Sequence, residues 1–177
     1  MMSKNSVFGI VKTYAQAERV VEGLQRAGFP SSEISVLLPD EQGKHDFGHV
    51  KATKAPEGAT TGAATGGLTG GVLGLLAGIG ALAIPGVGPF IAAGPIMAAL
   101  SGAAIGATTG GVVGALIGMG IPEIEAKRYE DKLKTGNYLI AVHAKDGDAE
   151  DRAEAIFKQA GAEDISTSSM SKAPAAA

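Results

Sequence analysis

SVFGIVKTYAQAERVVEGLQRAGFPSSEISVLLPD, residues 6–40, changes its apolar period twice. Val7-Phe8-Gly9-Ile10-Val11 is an apolar run of strand length, and Val7 to Lys12 is predicted as a strand. Thr13-Tyr14-Ala15-Gln16 has the spacing of a capping box, in which a hydroxyl and an amide side chain satisfy the free N–H groups of a helix start. Tyr14, Ala17, Val21 and Leu24 then recur at helical spacing, and Gly28 stands where a left-handed C-cap falls. Glu33-Ile34-Ser35-Val36-Leu37-Leu38 reads as a second strand, ended by Pro39-Asp40. Residues 6–40 are therefore one βαβ half.

The same order returns near the C-terminus. Tyr138-Leu139-Ile140-Ala141-Val142 is a strand, Asp148 is the expected cap of a helix carrying Ala149, Ala153, Ile156, Phe157 and Ala160, and Ile165 centres a last strand. The letters repeat as well: Glu18-Arg19 answers Asp151-Arg152, Ala27-Gly28 answers Ala160-Gly161, and Glu33-Ile34-Ser35 answers Asp164-Ile165-Ser166. Residues 137–167 are thus a second βαβ half. Two such halves pair into a ferredoxin-like split βαβ domain of the α+β class. Residues 168–177 lack an apolar pattern and are expected to form a flexible tail.

What separates the halves is a different material. A polar linker, residues 41–57, leads into residues 58–121, and a charged helix follows over 122–136. In that helix Pro122 suits the first turn, Glu123 and Glu125 its positive end, Lys132 and Lys134 its negative end, and Gly136 its close. Between Gly58 and Pro122 lie 19 of the 27 glycines and none of the 33 charged residues. Gly58, Gly62, Gly66, Gly70, Gly74 and Gly78 keep a four-residue step, as do Gly102, Gly106, Gly110, Gly114 and Gly118. Residues four apart share a helix face, so each arm would present a groove into which another helix settles. With helix breakers between the arms, Ala83-Ile84-Pro85-Gly86-Val87-Gly88-Pro89 and Gly94-Pro95, the expectation is an inserted Gly/Ala-rich antiparallel helical hairpin with these eleven glycines as its packing faces.

Two surroundings would suit such a hairpin. Each arm, roughly 25 residues at about 1.5 Å rise, could cross a hydrocarbon core of about 30 Å. Lys44, Lys51 and Lys54 before the first arm and Lys127, Arg128, Lys132 and Lys134 after the second would then hold both termini in the cytoplasm. Against lipid, Gly58-Ala59-Thr60-Thr61-Gly62-Ala63-Ala64-Thr65 is weakly hydrophobic and no Trp or Tyr marks either interface. The alternative is a cytoplasmic homo-oligomer in which hairpins pack on one another. Thr61, Thr65 and Thr69 beside the glycines either hydrogen-bond between helices or line a pore.

Other chemistry is thinly represented. A net charge of -3 and the lack of Trp argue against nucleic acid as a partner. Without cysteine there is no disulfide framework or thiolate nucleophile, which suits a reducing compartment. The N-terminus lacks the pattern of a signal peptide. His45 and His49 stand four apart in a polar linker with no third ligand, and His143 at a strand end is read as structural, so no metal, cofactor or catalytic residue is expected. Gly62-Ala63-Ala64-Thr65-Gly66-Gly67 lacks the Lys-Ser or Lys-Thr of a nucleotide loop. Glu123 with Glu125, and Asp148 with Asp151, sit where the helix dipole alone explains them.

Several runs are familiar: Lys54-Ala55-Pro56-Glu57-Gly58-Ala59, Ile84-Pro85-Gly86-Val87-Gly88-Pro89-Phe90-Ile91-Ala92-Ala93-Gly94-Pro95, Gly118-Met119-Gly120-Ile121-Pro122-Glu123, and Glu125-Ala126-Lys127-Arg128-Tyr129-Glu130. Over most of residues 6–167 the chain resembles bacterial general stress protein 17M-like proteins and heat-induced stress protein YflT domains. These proteins lack an assigned enzymatic activity, so the resemblance implies a setting of bacterial stress and no mechanism. The four-residue step is also similar to glycine-zipper membrane domains. Together these readings predict a non-enzymatic, stress-associated membrane protein that self-associates through its hairpin, with a soluble assembly protein or a stress-gated pore as alternatives.

Overall fold

The computed structural model describes residues 4–39, 80–84, 88–97 and 111–170. In chain order the elements are β1 (Lys4–Val11), α1 (Tyr14–Arg26), a 3-10 turn (Ser31–Glu33), β2 (Ile34–Pro39), β3 (Gly80–Ile84), β4 (Gly88–Ala93), α2 (Gly111–Gly118), α3 (Glu123–Lys134), β5 (Tyr138–Ala144), α4 (Gly147–Gln159) and β6 (Glu163–Met170). The class is α+β, as expected. One six-stranded sheet runs in the order β3-β4-β2-β5-β1-β6, and every neighbouring pair is antiparallel. The two βαβ halves interleave: β5 of the second half lies between β1 and β2 of the first, and β1 lies between β5 and β6.

Local chemistry sets the helix ends. Thr13 accepts a hydrogen bond from the Gln16 amide at 3.2 Å, and the Gln16 side chain accepts one from the Lys12 amide at 3.0 Å. The predicted capping pair is therefore present. At α4 the cap is Asp146, whose carboxylate accepts from the Ala149 amide at 2.7 Å, not Asp148; the latter falls in the first turn, where the dipole favours its charge. Helices α1 to α4 close in the same way. Gly28, Gly120, Gly136 and Gly161 have positive φ, and the next amide reaches back to Leu24, Leu116, Lys132 and Phe157 respectively. That is the Schellman motif, for which glycine is favoured because it lacks a Cβ.

Both faces of the sheet are covered, which the sequence does not announce. On one face α1 and α4 bury Val20, Leu24, Ala153 and Phe157 against Val7, Val11, Ile34, Val36, Ile140 and Val142. On the other, Leu116 of α2 and Ala126, Tyr129 and Leu133 of α3 join Phe8, Ile10, Leu37, Phe90, Ile96, Met97 and Leu139. Strands with two buried faces read as unbroken apolar runs, and Leu139 to Val142 is one.

The expected helical hairpin requires correction at its centre. Residues 80–84 and 88–93 are strands paired with each other, from Gly80↔Ala92 to Ile84↔Gly88, and β4 pairs with β2 from Val36↔Ala93 to Pro39↔Phe90. Short uncharged runs bounded by glycine and proline thus add two strands to the domain's sheet. A pair of membrane spans would carry its turn to the side opposite the domain. Here the strands on either side of residues 85–87 belong to the domain itself, and no helix among the described residues is long and apolar enough to cross a membrane. Described residues of the insertion accordingly belong to the domain: Phe90, Ala92, Ile96, Met97, Val112, Ala115 and Leu116 supply part of the second core.

The second half also ends later than expected. β6 continues to Met170, and Ser168, assigned to the tail by its polarity, is 1% exposed beside β1. The linker 41–57, His45, His49, Thr61, Thr65, Thr69 and residues 171–177 lie outside the described residues.

Candidate functional site

Three places on this frame concentrate polar or exposed apolar groups. The first joins α3 to β6. Between Phe8↔Ser166 and Ile10↔Glu163 the register shifts, leaving Asp164 and Ile165 opposite Gly9 as a bulge, and Asp164 has φ 48°, a conformation that aspartate tolerates better than most residues. The bulge turns the Asp164 carbonyl toward α3, where the Tyr129 hydroxyl donates to it and also meets the Ser166 hydroxyl. Arg128 and Lys132 pair with the Asp164 carboxylate at 3.1 and 2.6 Å, and Lys132 and Lys12 pair with Glu163 at 2.7 and 2.5 Å. Hydrogen bonds from Lys12 and Lys132 hold the Glu163 carboxyl at about 2, against an ordinary 4.5.

Burial pushes the Tyr129 phenol above its ordinary 10.0, so its hydroxyl stays protonated and acts as a fastener, not a base. A raised folded-state value means that this stability is complete below pH 10 and is lost as pH rises further. Tyr129→Phe leaves the half-buried Asp164 carbonyl short of a donor and the Ser166 hydroxyl short of a partner, and is expected to lower stability by about 1–2 kcal/mol in urea titrations near neutral pH. The loss of stability above pH 10 should also become shallower in the variant; an unaltered alkaline profile would assign that loss to another group.

The second place is the end of the sheet where β5 passes into α4. Cavities of about 130 and 200 Å³ flank Glu33 and Lys145, which approach to 3.8 Å. His143 borders the larger cavity and its Nδ1 lies 2.9 Å from the Ser6 hydroxyl. A serine beside a histidine suggests nucleophilic chemistry, but Ser6 is 0% exposed and no substrate atom reaches its oxygen. The pair ties β1 to β5, in which Ser6 and His143 are register partners. Both cavities are below the range of about 300–1,000 Å³ usual for small-molecule sites. Among the described residues, no three His, Cys, Asp or Glu side chains come together as metal ligands.

The third place is the outward side of α2. Of the eleven glycines expected to pack helices, Gly58, Gly62, Gly66, Gly70, Gly74, Gly78, Gly102, Gly106 and Gly110 lie outside the described residues, while Gly114 and Gly118 lie in α2. Val112, Ala115 and Leu116 turn to the core. A Cβ placed on Gly114 or Gly118 would meet no described atom within 4 Å. Ile117 stands between them at 42% exposure, and Ile124, at the start of α3, is 75% exposed. These two are the large apolar side chains left exposed among the described residues. Sequence periodicity locates the glycines; it misses the isoleucines, because their exposure depends on which side of α2 and α3 meets the sheet.

The fold and these three places define a mixed α+β protein with an exposed apolar corner among its described residues. Residues 6–84 match the family described as Heat induced stress protein YflT domain. The match runs from within β1 to the last residue of β3, so the added strand falls inside the family's bounds. The match suggests a stress-associated setting. Neither a curated protein nor a solved structure matches the chain.

Proposed function

We propose that this chain is a stress-associated protein without enzymatic activity, which acts by associating with further copies of itself through the outward face of α2. Its core is then a ferredoxin-like split βαβ domain, in which the insertion has widened the sheet and covered the second face. The lack of cysteine suits work in a reducing cytoplasm. The observation that carries the reading is the corner itself: Ile117 projects beside Gly114 and Gly118, a side chain next to two positions without one. On a two-fold axis the isoleucine of one copy fits the glycine notch of the other, as small residues allow close helix approach.

Gly114→Leu separates association from folding. Inside the monomer the new Cβ meets no described atom within 4 Å, and replacing a helical glycine with leucine favours the helix by about 0.5–1 kcal/mol. The variant should therefore keep or gain thermal stability while its native mass in light scattering falls. An unchanged mass would count against the α2 face as the interface.

A further inference from the structure

We propose that β3 is a second self-association surface, at which two copies join edge to edge into one continuous antiparallel sheet. This rests on the self-association reading above and adds the strand that makes the contact.

The two edges of the sheet are treated differently. β6, at one edge, has the devices that discourage edge pairing: charges at Glu163 and Asp164 and a bulge opposite Gly9. β3, at the other, is Gly80-Ala81-Leu82-Ala83-Ile84, with no charge, no proline and an unshifted register to β4. Among the described residues nothing pairs with its outer side.

Two prolines reveal which groups point outward. Residues in an antiparallel ladder alternate between those whose N–H and C=O face the partner strand and those whose groups face away. Pro89 has no N–H, so the pair Ala83↔Pro89 belongs to the set that exchanges no hydrogen bonds. Phe90 then faces β3, which makes Phe90↔Pro39 a pair without hydrogen bonds on the β2 side, and Pro39 also lacks an N–H. Both prolines select the same phase. It directs the N–H and C=O of Ala81 and Ala83 away from β4, along the edge that no described strand pairs.

A second copy satisfies those four groups without rearrangement. Antiparallel pairing about a two-fold axis at Leu82 places Ala81 opposite Ala83 of the other copy, so each alanine pair exchanges two hydrogen bonds. A foreign strand would need a matching register, whereas this strand supplies its own. With only five residues on each side the contact is concentration-dependent.

Ala81→Pro tests it, since the substitution removes an outward donor and leaves the hydrogen bonds to β4 in place. Native mass is measured over a concentration series for the full-length chain, Ala81→Pro, Gly114→Leu and the double variant, with amide hydrogen exchange on the unsubstituted chain. We expect each single variant to reduce the mass and the double variant to reach 17.6 kDa. In the Gly114→Leu background, Ala81→Pro should weaken dimerisation by about tenfold or more. The Ala81 and Ala83 amides should be protected where the oligomer persists, a readout that holds even if Ala81→Pro fails to fold. A mass lowered by Gly114→Leu but not by Ala81→Pro, with both amides exchanging freely, would overturn the β3 contact and leave the α2 interface standing. A monomer at every concentration would overturn both.

Discussion

Gly94→Ala should lower the stability of this protein by more than about 4 kcal/mol, placing it among the most damaging single-methyl additions the fold can receive. Gly94 follows β4 with φ +92°, where an L side chain is strained by about 1–2 kcal/mol. The greater obstacle is space. An added Cβ would lie 2.2 Å from the Ile34 carbonyl oxygen and 2.7 Å from the Ser35 Cα, both backbone atoms of an interior strand that cannot turn aside. Relief requires the chain after β4 to leave β2. That breaks the bond from the Ile96 amide to the buried Ser35 hydroxyl, 2.9 Å, and draws Ile96 and Met97 out of the second core. Each such side chain contributes about 1.5–3 kcal/mol when buried. Urea midpoints would measure the loss, and a change below about 1 kcal/mol would mean that this joint is free to relax.

Gly94 also marks where the sequence is legible and where it is not. Gly94-Pro95 reads as a break in the chain, but as a break between helices. The outer halves and the charged helix are legible because each carries its own punctuation: Thr13 with Gln16 starts α1, Gly28 ends it, Gly136 ends α3 and Gly161 ends α4. Those signals act over four or five residues and need no tertiary partner. The insertion is misleading because its glycine period, carried through the whole stretch, fails in the middle. Glycines occur at 78, 86, 94 and 102, with Leu82, Phe90 and Ala98 at the intervening steps. Leu82 and Phe90 are register partners in β3 and β4. Widening of the step from four residues to eight is the available sign of strands. No comparable sign announces that α2 and α3 cover the second face, since burial of Leu116 and Tyr129 depends on strands distant in the chain. Of the candidate surface, the glycines are legible and the exposed isoleucines are not, for the same reason.

Gly9→Ala is the second large effect, and its cause can be isolated. Gly9 lies in β1, an interior strand, on the face that α4 covers; a Cβ there would fall 2.4 Å from Cδ1 and 2.8 Å from Cε1 of Phe157. Phe157 is 0% exposed and packed among Val7, Val11, Leu24 and Ala153, so its ring cannot swing into solvent. Overpacking of this kind costs about 1–3 kcal/mol, and the rigid strand on one side with a filled core on the other places Gly9→Ala near the upper end. Intrinsic preference acts the other way, because alanine is better than glycine in a strand interior by about 0.5–1 kcal/mol. The two effects separate in a double-mutant cycle with Phe157→Leu. Once the ring is gone, Gly9→Ala should cost under about 0.5 kcal/mol or become stabilising, giving a coupling of about 2 kcal/mol between two residues that are 148 apart in the chain. Additive effects within about 0.5 kcal/mol would show that the ring is not what excludes a side chain at position 9. Coupling of the expected size would instead mean that Gly9 lets α4 lie close enough to β1 for one phenylalanine to fill the space between them.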